Sequence, residues 1–173
     1  MDLLIKLLER VKFLLVHCNV GMQMTFEESL GYSFKDKSLL ARALTRKAFA
    51  NEQKQQNIDC KDQEIFRTLG DAVLKTVLVD LLITRNHCTT RDEITIKKKK
   101  LEREEGLATV SRELGLGTSI RFGKGEMKQK AYDEPYILAE TLEAVIGAIY
   151  LDGGFDKAKE VVSRLFYKGL KEV

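Results

Sequence analysis

The sequence predicts an all-α domain. Proline occurs once in 173 residues, at position 135, and the alternation that strands show is nearly absent. Apolar residues recur instead at spacings of three and four through most of the chain, which places them on one face of a helix. The composition, 44% hydrophobic and 32% charged, is that of a globular protein and excludes a disordered or collagen-like chain.

We expect one domain at residues 25–173, preceded by an amphipathic helix or extension at residues 1–24. The extension contains MDLLIKLLERVKFLLV, in which Asp2 and later charges interrupt the apolar run that a signal peptide needs. No window approaches the roughly 20 uninterrupted apolar residues of a membrane span. Three distant cysteines favour neither a disulfide framework nor a zinc knuckle, which fits a reducing cytoplasm.

The first helices of the domain are predicted from caps and polar breaks. Asp36 can cap a helix through SLLARAL, and the polar segment NEQKQQNIDCK at 51–61 is predicted to be a loop or frayed turn. A long helix is then predicted from near Lys61 to about Thr84, because apolar residues keep helical spacing throughout that stretch.

The loop TRNHCTTRD separates this helix from one that contains the lysine run at 97–100. Another helix through LATVSREL should stop at Gly115 or Gly117, since glycine commonly ends a helix. The glycine-rich stretch GLGTSIRFGKGEMKQK that follows is predicted to be irregular.

The last part of the chain predicts two more helices. Pro135 stands where the first turn of a helix tolerates proline, and it opens YILAETLEAVIGAIYL. Gly153 and Gly154 should end that helix. A final amphipathic helix is predicted from about residue 156 to residue 172.

Two of the predicted helices carry acidic side chains beside small residues. Glu140 and Glu143 share one side of their helix with Ala144 and Gly147, opposite an apolar side. In residues 64–82 one stripe holds Glu64, Arg67, Thr68, Asp71 and Lys75. The glutamates could form a solvated face. If the helices face each other, however, Asp71, Glu140 and Glu143 would converge as oxygen ligands suited to Mg²⁺ or Mn²⁺.

Asp71, Glu140 and Glu143 lie in two of four motifs by which the chain resembles the ribonuclease III family, endonucleases that cut double-stranded RNA. LGDAVL at 69–74 is similar to the signature helix of the family, and ILAETLEAVIGAIYLDGGF at 137–155 is similar to its second acidic motif. LGYSFKDKSLLARALT at 30–45 resembles its opening helix, and GKGEMK at 123–128 the loop before the second motif. The resemblance spans roughly residues 26–170.

The resemblance implies an all-helical endonuclease domain that forms a two-fold dimer, with a Mg²⁺ or Mn²⁺ centre in each subunit and duplex RNA across both. Asp71 matches the signature aspartate and Glu143 the catalytic glutamate. Glu140 matches an aspartate three residues before Glu143 and is one methylene longer. Glu64 and Glu126 match acidic positions with supporting roles.

Arg67 departs from the family pattern, which carries a metal-ligating glutamate four residues before the aspartate. At ~4 Å and an effective dielectric constant of about 20, each pair of unit charges contributes roughly 4 kcal/mol, so a cation beside Mg²⁺ is a large penalty. Arg67 could bridge Glu64 and Asp71 and quench the site. It could instead grip an RNA phosphate while Asp71, Glu140 and Glu143 hold one metal. Alternatively, Glu64 could replace the missing ligand.

Further residues bear on the partners. Thr68 lies where the family usually has a bulky apolar residue that contacts the partner subunit, and Arg91 lies where an acidic residue is common. Both weaken the expectation of a homodimer and leave a heterodimer with an active relative open. Candidate RNA contacts, weighed against an ordinary solvated surface, are Lys97, Lys98, Lys99, Lys100 and Arg46.

Two functions follow from the sequence. The first is a Mg²⁺-dependent endoribonuclease that acts on double-stranded or structured RNA such as ribosomal precursors, leaving a 5′-phosphate and a 3′-hydroxyl. The second is a catalytically impaired domain that binds RNA or serves as a scaffold. The double-stranded-RNA-binding domain common in the family is not expected in this chain, which ends soon after Gly154.

Overall fold

The computed structural model describes residues 25–173; the predicted N-terminal extension at 1–24 lies outside the described residues. In the described part, helices are joined by short loops, and a single isolated bridge joins Thr45 to Arg121 in place of any strand. The all-α prediction is therefore confirmed. Within this part of the chain, none of the helices has the length and apolar character required to cross a bilayer.

Nine α-helices and two 3₁₀ helices make up residues 25–173. In chain order the α-helices are α1 (Phe26–Leu30), α2 (Lys37–Ala43), α3 (Lys47–Gln55), α4 (Glu64–Thr84), α5 (Arg91–Glu102), α6 (Glu104–Glu113), α7 (Lys124–Lys128), α8 (Pro135–Leu165) and α9 (Tyr167–Glu172). The 3₁₀ helices are Leu116–Ser119, before α7, and Ala131–Asp133, before α8.

Local sequence accounts for several of the helix starts. The side chain of Asp36 accepts a hydrogen bond from the backbone N–H of Ser38, at 2.8 Å, so the predicted cap of α2 is confirmed. Thr90 caps α5 in a reciprocal capping box with Glu93. Pro135 is the first residue of α8, as predicted.

Two predicted boundaries near α4 are wrong. Residues 51–55 were expected to be loop, but they continue α3, which ends before Asn57 adopts the left-handed conformation at φ +60°. Helix α4 begins at Glu64 rather than near Lys61, because the carboxylate of Asp62 accepts the N–H of Glu64, at 3.1 Å, in a turn outside the helix. Both differences arise from local hydrogen bonds that apolar spacing does not reveal.

The glycine-rich and C-terminal stretches also differ in part from the prediction. Residues 124–128, expected to be irregular, form α7. Gly154, at φ +81° and ψ −178°, interrupts α8 with a kink, but helical structure resumes and continues to Leu165. The predicted last helix is thus divided between the end of α8 and α9.

The core of the domain lies where α4 packs against α8. The buried residues along α4 include Phe66, Val73, Leu74, Val77 and Leu78, and those along α8 include Leu142, Val145, Ile146 and Ile149. Gly70 and Gly147 lie at the contact between the two backbones: a Cβ on Gly70 would stand 1.7 Å from the carbonyl oxygen of Glu143, and one on Gly147 2.2 Å from that of Phe66. The small residues beside the acids therefore allow the close backbone approach that the sequence predicts.

Candidate active site

The α4–α8 contact positions the candidate acids. Gly70 directly precedes Asp71 in α4, and it packs against the backbone of Glu143 in α8. The two carboxylates are close enough that the charge of Asp71 raises the pKa of Glu143. The helices that carry the two acidic stripes therefore contact each other at this point, and the convergence of Asp71 and Glu143 on a metal stays a prediction.

Arg67 makes its main contact across this interface, with Glu140. Its Nη1 donates to Oε1 of Glu140, whereas its Nη2 lies 3.9 Å from Oε2 of Glu64. Asp71 instead accepts a hydrogen bond from Nζ of Lys75, at 2.8 Å. The proposed ladder from Glu64 through Arg67 to Asp71 is therefore wrong at its second step, because the guanidinium reaches the other helix.

Arg46, the residue before α3, binds the second oxygen of Glu140. Its Nη1 donates to Oε2 of Glu140 at 2.7 Å, and its Nε donates to Glu126 at 3.1 Å. Burial acts to lower the pKa of Arg46, but the hydrogen bond that it donates to Glu140 and the charge of Glu126 outweigh burial and raise the pKa. Only 13% of the Arg46 side chain is exposed, so this residue is an internal link and not the ordinary solvated arginine that was the alternative to an RNA contact.

Glu143 has a different environment. The side chain is half-buried and has no ion pair with another described residue. Burial, followed by the charge of Asp71, raises its pKa to about 7, although Arg67 and Lys75 oppose the rise. A carboxyl group with this pKa can take up or release a proton near neutral pH.

Together these residues form what we call the carboxylate cluster. Its members are five acids, Glu64, Asp71, Glu126, Glu140 and Glu143, and three cations, Arg46, Arg67 and Lys75. Five negative and three positive charges leave a net charge of −2 when Glu143 is ionised. The cluster is therefore still acidic despite its arginines.

The donor set fits a divalent metal in part. Among residues 25–173 no three His, Cys, Asp or Glu side chains stand together closely enough to hold an ion. The carboxylate oxygens of Asp71 and Glu143 are nevertheless hard ligands, and no arginine binds them. Mg²⁺ is commonly held by one or two carboxylates together with substrate phosphates. Glu140 does not fit this role in the observed arrangement, because both its oxygens accept bonds from arginines. The three-residue ligand set stays a prediction, as does replacement by Glu64.

The four lysines predicted to contact RNA lie on α5. Lys99 and Lys100 are exposed, whereas Lys97 is partly covered and Lys98 pairs with Glu102 at 3.1 Å. This arrangement leaves two of the four lysines available to a polyanion, and their role in RNA binding stays a prediction.

Sequence reasoning missed two members of the cluster as partners of the acids. Lys75 stands four residues after Asp71, a spacing at which helical side chains meet, so the sequence contained the necessary information. Arg46 is 94 residues from Glu140, and no local pattern relates the two positions.

Gln63, just before α4, is fully buried, and neither atom of its side-chain amide has a hydrogen-bond partner among the described residues.

Comparison with known proteins agrees with the fold and the motifs. The family described as Ribonuclease-III-like matches residues 36–170. Ribonuclease 3 of Bdellovibrio bacteriovorus is 36% identical over 142 residues, covering 82% of this chain and 59% of that protein. Ribonuclease 3 of Pseudomonas fluorescens SBW25 is 39% identical over 137 residues, covering 79% of this chain and 56% of that protein. The chain thus spans less than two thirds of the length of these relatives.

The nuclease domain of ribonuclease III from Campylobacter jejuni has the same fold. One of its crystal structures matches with a TM-score of 0.75 at 34% identity, covering 86% of this chain and 95% of that chain. Another, described as flexible in a region involved in dimer formation, matches with a TM-score of 0.74 at 35% identity, covering 83% and 95%. The fold is that of a ribonuclease III nuclease domain. The chain belongs to the ribonuclease-III-like family, which confirms the resemblance found in its motifs.

Proposed function

We propose that this domain is a ribonuclease III-type endoribonuclease that hydrolyses double-stranded or structured RNA, such as ribosomal precursors, with the help of a divalent metal. Membership of the family supports the reaction class. The observation that carries the proposal is the contact of Gly70, the neighbour of Asp71, with the backbone of Glu143, because neither of these two carboxylates is bound by an arginine.

Asp71 and Glu143 are the residues that would hold Mg²⁺ or Mn²⁺, with an RNA phosphate completing the site. The metal, when bound, supplies positive charge to the phosphate and lowers the pKa of bound water. Without metal the pKa of Glu143 is about 7, so near neutral pH this carboxyl group can release its proton and become available as a ligand. Water attacks phosphorus in line and loses a proton to solvent, the bond from phosphorus to the 3′ oxygen breaks, and the 3′ oxygen takes a proton from solvent. The products are a 5′-phosphate and a 3′-hydroxyl.

The duplex is proposed to lie along the basic face of α5 and across two subunits. Lys99 and Lys100 can contact phosphates, which dominate protein recognition of double-stranded RNA. Two copies related by a two-fold axis would place one carboxylate cluster on each strand. A heterodimer with an active relative would place this cluster on one strand alone.

A second candidate function is favoured by the bonds of Glu140. Because both its oxygens are bound by Arg46 and Arg67, one acid of the expected ligand set is withdrawn. The domain could then bind structured RNA or a partner protein without cutting, as a scaffold.

Cleavage of an end-labelled RNA duplex tests the proposal. The native protein, Glu143→Gln and Arg67→Glu are each incubated with and without Mg²⁺ or Mn²⁺. Glu172→Gln and Arg85→Glu make the same changes at exposed residues that have no ion pair among the described residues. We expect metal-dependent staggered cuts from the native protein and both controls, and loss of cutting in Glu143→Gln.

Other outcomes separate the two candidate functions. Cutting by Arg67→Glu but not by the native protein would assign the native chain to the second candidate and attribute the loss to one arginine. A duplex that is bound by all variants and cut by none would reject the nuclease proposal for this domain.

A further inference from the structure

We infer that Arg67 acts as a fixed cation inside the carboxylate cluster, where it binds Glu140 in place of one divalent ion. The cluster then has a single position left for a divalent ion, at Asp71 and Glu143. The inference rests on the metal dependence in the proposed function, and it specifies how many ions the cluster takes. It is drawn from the bonds of Glu140 and from the charge of the cluster.

The bonds of Glu140 are the first argument. The carboxylate is held between Arg67 of α4 and Arg46 before α3, and 28% of its side chain is exposed. Bonds between a guanidinium and a carboxylate are strengthened by charge, so an incoming ion would have to displace an arginine to reach either oxygen. The bond from Arg67 joins α4 to α8, and the bond from Arg46 joins the start of α3 to α8.

The cluster charge is the second argument. With Arg67 present, the net charge of −2 is balanced by one divalent ion. Glutamate at position 67 would give six acids and two cations, a net charge of −4 that two divalent ions balance. Glutamate at position 67 would also release one oxygen of Glu140 and add a carboxylate near it, so we expect a second ion there as well as stronger binding.

Asp71 remains available to an ion although Lys75 contacts it. The two residues are four apart on α4, and 46% of the Lys75 side chain is exposed. Pairs of this kind are weak in water, and the lysine can turn away when a divalent ion arrives. Lys75 therefore does not block the position that the inference assigns to the ion.

A direct contact of Arg67 with an RNA phosphate is less consistent with the same observations. Its Nη1 is already bonded to Glu140, and its Nη2 faces Glu64 at 3.9 Å. A phosphate approaching the guanidinium would meet the net negative charge of the cluster. Fixing Glu140 is thus the role that the geometry supports.

Calorimetric titration with Mn²⁺ at pH 8 tests the inference without RNA and without cleavage. We expect one ion per chain for the native protein and for the exposed control Arg85→Glu, and two for Arg67→Glu. Two ions on the native protein, no ion on it, or one ion on Arg67→Glu would each overturn the inference.

Thermal unfolding keeps the test decisive if Arg67→Glu does not fold without metal. In EDTA, Arg67→Gln should unfold at a temperature lower than that of the native protein by about 3–6 °C, because the link between α4 and α8 is lost. An unchanged unfolding temperature would show that Arg67 does not hold the cluster together and would overturn the inference. A protein that binds one ion and cuts no RNA would leave the inference standing while the proposed nuclease activity fails.

Discussion

Replacing Gly70 by alanine tests whether the close contact of α4 with α8 positions the site. In the native fold the added Cβ would stand 1.7 Å from the carbonyl oxygen of Glu143 and 2.6 Å from its carbonyl carbon. Both atoms belong to the backbone of α8, so no side-chain rotation can relieve the overlap. The two helices would have to separate along their contact.

The expected loss of stability follows from two opposing effects. Alanine is favoured over glycine within a helix by about 1 kcal/mol. Overpacking of a filled core costs typically about 1–3 kcal/mol and more when backbone must move. The Cβ needs an ordinary contact distance of ~3.5 Å or more, and the resulting separation would loosen the core around Leu74 and Ile146. Because the overlap is with backbone, the overpacking cost should lie at or above the upper end of that range, and we expect a net loss of about 2 kcal/mol or more in the free energy of unfolding.

Urea unfolding followed by circular dichroism measures this loss. Gly125→Ala is the matched control: Gly125 lies inside α7, and a Cβ there meets no atom within 4 Å. The control should raise the free energy of unfolding by up to about 1 kcal/mol. If Gly70→Ala is as stable as the native protein, the reasoning that close backbone contact sets the position of Asp71 beside Glu143 is refuted.

Two further predictions concern single carboxylates. Folding raises the pKa of Glu143 from 4.5 to about 7, so the folded state holds a proton that the unfolded state has lost, and stability falls as pH rises across that interval. In EDTA above pH 7, Glu143→Gln should therefore be more stable than the native protein by about 2 kcal/mol, after allowance for solvent screening. Below pH 4.5 the two proteins should be equally stable. Equal stability at pH 8, measured by urea unfolding, would contradict this prediction. Asp152 accepts hydrogen bonds from the Tyr32 hydroxyl and from the backbone N–H groups of Lys35 and Asp36, at 2.7–2.9 Å. Asp152→Ala should lower the free energy of unfolding by about 2 kcal/mol, whereas an unfolding curve that superimposes on the native one would show that the three bonds do not stabilise the fold.

The sequence by itself determined the helical class, most helix positions and the family. These properties depend on neighbours in the chain: apolar residues three or four apart, a cap such as Asp36, or Pro135 in a first turn. The close approach of α4 to α8 was also readable, since small residues beside acids permit it. Helix boundaries that one hydrogen bond sets, such as the start of α4 after Asp62, could not be read from the sequence.

Only the tertiary structure decided how the charges of the candidate site are paired. Arg67 could reach residues of its own helix or residues of another, and both choices have the same local sequence. The fold brings Glu140 to it from 73 positions away and brings Arg46 to Glu140 from 94 positions away. Ion pairing depends on distance in space, and helical spacing fixes that distance within one helix but not between two helices. The ion pairs of Glu140 with Arg46 and Arg67, which leave Asp71 and Glu143 without an arginine, therefore became visible only in the packed structure.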